Sequence, residues 1–284
     1  MTFRTHHFGF HRRADKRLLI LAAFATICLA AASGTPVSAQ EPPRLTVEVL
    51  ASSELEDSPR QYDLVQMLIE FAPGASNQSH RVNGRAIFTL ISGELTRVEE
   101  NGETTVFSAG DTFRETGSDH FDIEVNNGTV PAQLLATLLL QPGAKPLTIE
   151  PGSPPPSLGP RVIAAARTTV GKIPAKFALA HGFIVADPGV VVPAHTHDGW
   201  QMVTTLAGNP APVLDGEVQT GKTFVDRPGV VHEGGNPGPE QARFMFARLN
   251  PLGAPVARPV TAGGAQTPAI QPPATGDGGL AVGR

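Results

Sequence analysis

The sequence predicts an all-β protein made of two similar halves. Apolar segments such as 86–91 and 244–249 are short and bounded by Gly, Pro or Asn, which is typical of β-strands. Beyond residue 39, no apolar pattern of helical period extends over about 12 residues. Turn-forming pairs recur between the apolar segments, at Asn101-Gly102, Asn127-Gly128 and Asp215-Gly216.

An internal repeat defines the two halves. Landmarks of the first half recur in the second half at offsets of 111 to 115 residues, which indicates a duplicated unit with a small deletion. The matched landmarks are residues 65–74 with 180–189, His80 with His195, Gly93 with Gly208, Gly110 with Gly221, and His120 with His232.

Five segments are predicted along the chain. Residues 1–39 are expected to be a signal peptide that takes no part in the fold. Residues 40–149 and 161–250 are the two strand-rich domains, and the Pro-rich residues 150–160 form a stiff linker between them. Residues 251–284 are rich in Pro, Gly, Ala and Thr, a composition that predicts a disordered tail.

The signal peptide is predicted from the order of its parts. A basic region comes first and consists of Arg12, Arg13, Lys16 and Arg17. An apolar stretch (18–32) follows, and Val37-Ser38-Ala39 supplies the small residues of a cleavage site. We therefore expect a secreted or periplasmic protein, exported by ordinary secretion or by the twin-arginine route, with an uncleaved N-terminal anchor as the alternative. Cleavage also removes Cys28, the only cysteine, so no disulfide is expected.

The charge of the remaining chain argues against nucleic acid as a partner. Residues 1–39 hold five of the 22 Lys and Arg residues and one of the 26 Asp and Glu residues, which leaves a formal charge of −8. Such a chain offers no basic patch to hold phosphate groups. We therefore expect no nucleic-acid partner, and no membrane association once the signal peptide is removed.

The strongest functional pattern is the spacing of polar residues between positions 195 and 232. His195, His197 and Gln201 are separated by even numbers, and such residues point to one face of an extended strand. His232 lies on a later strand that can reach the same cavity. Three imidazoles and an amide oxygen that face inward favour a divalent transition metal, with hydrogen-bonded core histidines as the alternative.

This region resembles the two motifs of the cupin superfamily. The first motif reads Gly189-x5-His195-x-His197-x3-Gln201-x6-Gly208, with glutamine at the usual glutamate position. The second reads Gly221-x7-Gly229-x2-His232-x3-Asn236, with Arg227 where the family has proline. The resemblance implies two tandem jelly-roll β-barrels and one divalent metal bound by His195, His197, Gln201 and His232. These ligands suit Fe, Mn, Ni, Zn or Cu. A homodimer is a common arrangement in this superfamily.

The first half keeps the glycines of these motifs but not the full ligand set. His80 takes the place of the first histidine, whereas Val82 and Ala86 stand at the positions of the second histidine and the glutamate. His120 aligns with the histidine of the second motif. Two histidines without a third donor predict a structural domain with no tightly held metal, and a metal-free small-molecule pocket is the alternative.

Gln201 limits the chemistry of the predicted site. An amide oxygen can bind a metal, but it cannot act as a general base near neutral pH, and it leaves the site with the full +2 charge of the ion. Asp198 and Glu233 are the candidate bases, with solvated surface positions as the alternative. His181 and Arg227 are candidate cavity residues. The alternative for His181 is a hydrogen-bonded core histidine, and the alternative for Arg227 is an ordinary surface arginine.

The sequence supports metal binding better than it supports any one reaction. For an enzyme, the resemblance implies a non-haem metal-dependent oxygenase that acts on a small organic molecule. One alternative is a redox-neutral isomerase, lyase or decarboxylase that uses the metal as a Lewis acid. The other is a non-catalytic protein that binds a small ligand. Neither the metal nor the substrate is specified by the residues.

Overall fold

The all-β class is confirmed. A computed structural model describes residues 41–56, 61–117, 120–208 and 223–260. The residues in these ranges form 18 strands and no helix, so they include no helix long and apolar enough to span a membrane. The predicted signal peptide lies outside the described residues.

Ten strands come from the first repeat and eight from the second. The first ten are β1 (Leu45–Glu56), β2 (Gln61–Phe71), β3 (His80–Val82), β4 (Arg85–Ser92), β5 (Glu94–Glu99), β6 (Thr104–Ser108), β7 (Thr112–Thr116), β8 (Asp122–Val125), β9 (Ala132–Leu140) and β10 (Leu147–Ile149). The others are β11 (Arg161–Gly171), β12 (Lys176–Ala186), β13 (Val190–Thr196), β14 (Trp200–Ala207), β15 (Thr223–Asp226), β16 (His232–Asn236), β17 (Ala242–Pro251) and β18 (Arg258–Pro259).

These strands build the two predicted barrels, each from a pair of sheets. In the first barrel the sheets have the strand orders β11-β2-β9-β4-β7 and β10-β3-β8-β5-β6. In the second barrel the orders are β1-β12-β17-β14-β15 and β16-β13-β18. All the pairings are antiparallel, as expected for strands joined by short turns. Gly93 and Gly208 occupy equivalent turns with positive φ values of 76° and 82°, which confirms this part of the repeat.

Each repeat donates its first long strand to the other barrel. β1 pairs with β12 from Leu45↔Ala186 to Glu56↔Lys176. β11 pairs with β2 in the same way. The predicted ranges 40–149 and 161–250 therefore separate the repeats along the sequence, but each barrel contains one long strand from the opposite range.

The hydrophobic core has an interior part in each barrel and a part between the barrels. The part between the barrels lies between the two five-stranded sheets that contain the exchanged strands, and includes Leu64, Ile87, Phe177, Leu179, Met202 and Leu249. The interior of the first barrel includes Phe71, Leu90 and Leu138, and that of the second includes Val203, Phe244 and Phe246. Because both faces of these two sheets are buried, strands such as β9 are apolar along nearly their whole length.

His181 crosses the interface between the barrels. Its Nε2 lies 2.9 Å from Oγ1 of Thr89, and its Nδ1 lies 3.0 Å from Oγ1 of Thr137. The residue is fully buried, and this burial lowers its pKa to about 3. Gln66, at the equivalent position of the first repeat, donates to the carbonyl oxygen of Phe246 at 2.7 Å. His181 is therefore a hydrogen-bonded core histidine, which was the alternative to a cavity residue.

Residues 251–260, which we name the C-terminal strap, differ from the predicted disordered tail. β18 lies in the strap and pairs with β13 through Thr196↔Arg258. Arg258 also forms a bidentate ion pair with Asp198, with two N···O distances of 2.7 Å. The prediction of disorder is wrong for these ten residues because backbone pairing and an ion pair hold them against the second barrel. The rest of the predicted tail lies outside the described residues.

The predicted linker, residues 150–160, contains no strand and runs along the first barrel. The backbone nitrogen of Ser76 donates to the carbonyl oxygen of Leu158 at 2.9 Å, and Gln78 donates from its side chain to the carbonyl oxygen of Ser153 at 2.7 Å. These contacts place the linker against the loop that leads to His80.

Candidate metal centre

The second barrel brings the predicted ligands together. His195 lies near the end of β13 with His197 just beyond it, Gln201 lies on β14, and His232 begins β16. His195 and His232 are direct partners in the register of β13 and β16. The three imidazole centroids are 4.2 to 5.0 Å apart, and one ring nitrogen of each residue lies within 4.8 Å of the other two. The even spacing along the sequence thus corresponds to one inward face.

Backbone carbonyl groups hold all three imidazoles in the same tautomer. Nδ1 of His195 lies 2.8 Å from the carbonyl oxygen of Pro193, and Nδ1 of His232 lies 3.2 Å from that of Val230. For His197 the acceptor is the carbonyl oxygen of Val256 in the C-terminal strap, at 2.6 Å. A carbonyl oxygen can only accept, so Nδ1 of each ring carries the proton and Nε2 has a free lone pair. This arrangement orients Nε2 for metal binding.

Burial keeps the imidazoles in the form that a metal needs. His197 is only 3% exposed, and desolvation lowers its pKa and that of His195. Both rings are therefore neutral at neutral pH, and only neutral imidazole coordinates a metal.

Asp226 on β15 is a site residue that the sequence analysis did not identify. Its Oδ2 lies 3.7 Å from Nε2 of His197, and its Oδ1 lies 3.6 Å from Nε2 of His232. Two ring nitrogens thus face one carboxylate, an arrangement that a cation stabilises. A metal bound beside this carboxylate would give a site with a charge of +1, whereas the expectation from Gln201 was +2.

Gln201 lies in the cluster, but its amide nitrogen faces the other donors. This nitrogen lies 3.0 Å from Oδ2 of Asp226 and 3.5 Å from Nε2 of His197. Both of those atoms are acceptors, so the NH2 group, which cannot bind a cation, must be the one between them. In this arrangement the amide of Gln201 orients the carboxylate of Asp226.

The other candidate residues lie outside the cluster. Asp198 is bound to Arg258, and Glu233 is exposed, so both occupy the surface positions given as their alternative. A cavity of about 510 Å³ lies next to the strands that carry the site, and Lys172, Trp200 and Arg227 are among its lining residues. Arg227 thus borders a cavity, but the cavity is not the one into which the histidines point.

The family model described as "Cupin domain" matches residues 67–138 and 182–248, one match in each repeat. The chain belongs to the cupin superfamily. Its matches start within β2 and β12 and end within β9 and β17, so they cover the corresponding part of both barrels. No curated protein sequence matches this cupin.

Several solved structures resemble this cupin at low sequence identity. AerE from Microcystis aeruginosa is 15% identical, with a TM-score of 0.43, over 71% of this chain and 98% of that chain. A vicilin from Solanum melongena is 14% identical, with a TM-score of 0.49, over 72% of this chain and 78% of that chain. A salicylate 1,2-dioxygenase from Pseudaminobacter salicylatoxidans is 16% identical, with a TM-score of 0.37, over 67% and 71%.

Two asparagines define the equivalent positions of the two cupin barrels. The side-chain nitrogen of Asn236 donates to the carbonyl oxygens of Ala186 and Glu240, at 2.9 and 2.7 Å. That of Asn126 makes the same pair of bonds in the first barrel, to Phe71 and Val130, at 2.8 and 2.9 Å. Near the second motif the repeats are therefore offset by 110 residues, so His232 corresponds to Asp122.

The alignment of His120 with His232 is therefore wrong. Asp122 is the partner of His80 in the register of β3 and β8, as His232 is the partner of His195 in the second barrel. The side chain of His120 is instead 45% exposed, and its Nε2 lies 3.3 Å from the carboxylate of Glu99. Asp122 follows Glu115 by seven residues, whereas His232 follows the matching Asp226 by six, so a matching Gly-x2-His spacing placed the wrong residue at the ligand position.

The first barrel buries a charged cluster at this equivalent place. Its members are all less than 9% exposed and are His80, Arg97, Glu115, Asp122 and Glu124. Arg97 donates from Nη2 to Glu115 at 2.8 Å and lies 4.3 Å above the ring of Phe113. Burial raises the pKa of Glu115 to about 8, and burial together with the charge of Glu124 raises the pKa of Asp122. The sequence analysis identified none of these residues except His80.

Proposed function

We propose that the second cupin barrel binds one divalent transition metal through His195, His197 and His232, with Asp226 as the anionic ligand. One observation carries this proposal: ring nitrogens of three imidazoles converge, and backbone carbonyl groups hold each ring in place. A satisfied core histidine would direct its second nitrogen at a hydrogen-bond donor. Nε2 of His232 instead faces the carboxylate of Asp226 at 3.6 Å.

The surrounding residues support a site that is shaped in advance. The amide of Gln201 holds Asp226 between His197 and His232, and the strap carbonyl of Val256 holds His197. Because the ligand side chains are already oriented, less conformational entropy is lost when the ion binds. When bound, the metal supplies Lewis acidity and exchangeable positions for a small molecule.

The proposed substrate is a small organic molecule, and metal-dependent oxygenation is the activity proposed first. The support is the cupin family itself, in which such centres combine a metal with open coordination positions. Redox-neutral isomerase, lyase or decarboxylase chemistry and non-catalytic ligand binding use the same ligand set. Because Gln201 cannot accept a proton, Asp226 is the one carboxylate of the described cluster that can receive a proton from a bound molecule.

Metal content tests the centre directly. The full chain, purified without an affinity tag, is expected to hold one transition-metal ion that depends on the second barrel. The variant His195→Ala/His232→Ala should lose that ion, and His120→Gln, which alters an exposed histidine, should retain it. Elemental analysis with measured protein concentration gives the stoichiometry. Equal metal content in the wild type and the double variant would refute the centre.

Oxygen consumption separates the functional alternatives. The metal-loaded wild type is mixed with a panel of small carboxylates and phenols, and oxygen uptake and product formation are recorded. Uptake that disappears in His195→Ala/His232→Ala supports an oxygenase. Turnover without oxygen uptake supports the redox-neutral chemistry, and saturable binding without turnover supports a ligand-binding protein.

Export is a separate proposal. We infer from residues 1–39 that the chain is secreted or periplasmic, and the support is the order of basic, apolar and small residues in that segment. N-terminal sequencing of the protein recovered from the extracellular or periplasmic fraction tests it. A mature chain beginning at Gln40 is expected, and recovery of an intact Met1 chain in the cytoplasm would contradict it.

A further inference from the structure

The charged cluster of the first barrel has more buried negative charge than its only arginine can balance. Glu115, Asp122 and Glu124 contribute three carboxylates, whereas Arg97 contributes one permanent positive charge. Arg97 forms a short ion pair with Glu115 alone, at 2.8 Å. Its Nε lies 3.4 Å from Asp122 and 3.5 Å from Glu124, and makes no hydrogen bond to any described residue. Buried carboxylates without full compensation are costly.

The two less well paired carboxylates share one arrangement. Each has one oxygen near Nε of Arg97, namely Oδ2 of Asp122 and Oε1 of Glu124. The second oxygen of each lies 3.9 Å from a ring nitrogen of His80. Oδ1 of Asp122 has no hydrogen-bond partner among the described residues, and its side chain is only 3% exposed. A buried carboxylate oxygen in this condition lacks a compensating donor, and a cation would supply the compensation.

His80 has the same orientation as two histidines of the second barrel. Its Nδ1 lies 3.1 Å from the carbonyl oxygen of Gln78, two residues earlier in the chain. His195 and His232 make the same contact with the carbonyl two residues before each of them. Nε2 of His80 therefore presents a lone pair to Oε2 of Glu124. Two acceptors at 3.9 Å do not attract each other, but both can bind one cation.

Glu124 is also held in place by the loop before β3. The side-chain nitrogen of Asn77 donates to Oε2 of Glu124, and the side-chain oxygen of Asn77 accepts from the backbone nitrogen of Glu124 at 2.8 Å. Such outer partners fix a ligating carboxylate before the ion arrives.

We propose that His80, Asp122 and Glu124 form a second divalent-cation site, inside the first barrel and independent of the three-histidine centre. One donor nitrogen and two carboxylates make this site harder than its counterpart, so it discriminates less against Mn²⁺ than the three-histidine centre does. The two carboxylates neutralise the ion, and Arg97 remains paired with Glu115. This site replaces the expectation of a first domain without tightly held metal.

The test uses the full chain, because each barrel contains a strand from the other repeat. His195→Ala/His197→Ala/His232→Ala removes the proposed centre of the second barrel, and Mn²⁺ is titrated into this triple variant after removal of metal with a chelator. One Mn²⁺ per chain is expected, detected by the loss of the free-ion electron paramagnetic resonance signal. Adding His80→Gln should weaken binding on the order of 10- to 100-fold, whereas adding Lys176→Ala, which breaks an exposed ion pair in the second barrel, should leave it unchanged.

A second measurement covers the case in which a cluster variant fails to fold. Mn²⁺ should raise the Tm of the triple variant itself, because an ion that binds only the folded state stabilises it. A triple variant that binds no Mn²⁺ and shows no Tm increase would overturn the proposal and leave Arg97 and protons as the only counter-charges. Absence of the second-barrel centre would give a different result. The single variant His80→Gln, with all three histidines of the second barrel intact, would then lose all its bound metal.

Discussion

The two barrels place opposite chemistry on the same scaffold. The second gathers three imidazoles and one carboxylate, whereas the first gathers one imidazole, three carboxyl groups and one guanidinium at the equivalent place. The supporting parts are alike: Asn126 and Asn236 make matching hydrogen bonds, and Glu115 and Asp226 occupy matching positions opposite Ala86 and Gln201. The difference teaches that this scaffold fixes where polar side chains meet, while the side chains alone decide the charge there.

Removing the arginine should have the largest effect on stability. Arg97→Met keeps much of the side-chain volume but leaves three buried carboxylates without their cation, so the free energy of unfolding at neutral pH should fall by about 3–5 kcal/mol in metal-free protein. Urea denaturation followed by circular dichroism measures this change. Arg258→Met, which removes an exposed ion pair beside the second barrel, is the control and should leave the midpoint unchanged. Similar midpoints for both variants would show that the cluster is not held by Arg97.

Moving the carboxylate should have the next largest effect, on metal affinity in the second barrel. Asp226→Asn removes the anionic ligand and should weaken binding on the order of tenfold or more. Gln201→Glu in the same chain should recover the loss, because it places a carboxylate on β14 beside the lost one. Competition with a chromophoric chelator measures the affinities, with Asp198→Asn as the surface control. An Asp226→Asn affinity equal to the wild type would exclude this residue as a ligand.

His181 should make the free energy of unfolding depend on pH. Gln66, its counterpart in the first repeat, does not titrate and has no such effect. The pKa of about 3 for His181 lies below its ordinary value of about 6.5, so neutral His181 stabilises the fold above pH 6.5. This contribution is lost as the pH falls from 6.5 towards 3, and between pH 7 and 5 it amounts to about 2 kcal/mol.

His181→Gln tests this by copying the residue of the other repeat. The wild type should lose about 2 kcal/mol more than this variant when urea denaturation at pH 7 is compared with pH 5. Titration of the metal-site histidines is common to both proteins and cancels in the comparison. Identical pH profiles would mean that His181 does not remain neutral in the folded protein.

Loosening the C-terminal strap should have the smallest effect. Arg258→Ala removes the ion pair with Asp198 and lets the strap carbonyl of Val256 move away from His197. Metal affinity of the second barrel should fall about two- to fivefold, since an exposed ion pair contributes little. Arg161→Ala, which breaks an exposed ion pair with Glu70 in the first barrel, should not change affinity. An equal decrease in both variants would assign the effect to general destabilisation.

The parts of the structure that were predicted correctly depend on local spacing. The even intervals between His195, His197 and Gln201 survive folding because alternation along a strand is a property of the backbone. The offset of 115 residues likewise identifies equivalent strands in the two halves, and this does not require knowing which strands pair with them. These two signals were sufficient for the two repeats and for the shared face of His195, His197 and Gln201. The all-β class came from the short apolar segments, and the two barrels and the inclusion of His232 came with the cupin resemblance.

The parts that were missed depend on contacts between distant strands. Asp226 enters the site through the register of β14 with β15, which no alternation pattern specifies. A usable signal existed, because the offset of 111 residues that relates Gly110 to Gly221 also pairs Glu115 with Asp226, an acid in each repeat. Asp122 was missed because a longer loop shifted the offset, and the strap because its composition resembles that of disordered segments.

The exchange of β1 and β11 also makes folding of the repeats interdependent. Glu56 and Lys176, which end the pairing of β1 with β12, are 120 positions apart in the chain. Contacts of such sequence separation form slowly, and a chain growing from its amino end exposes β1 long before its partner exists. The first barrel therefore cannot be completed until β11 of the second repeat has been synthesised, and the second barrel is completed only with β1 of the first repeat. A substitution that slows the folding of one repeat should slow the folding of the other, so the two repeats should fold or misfold together.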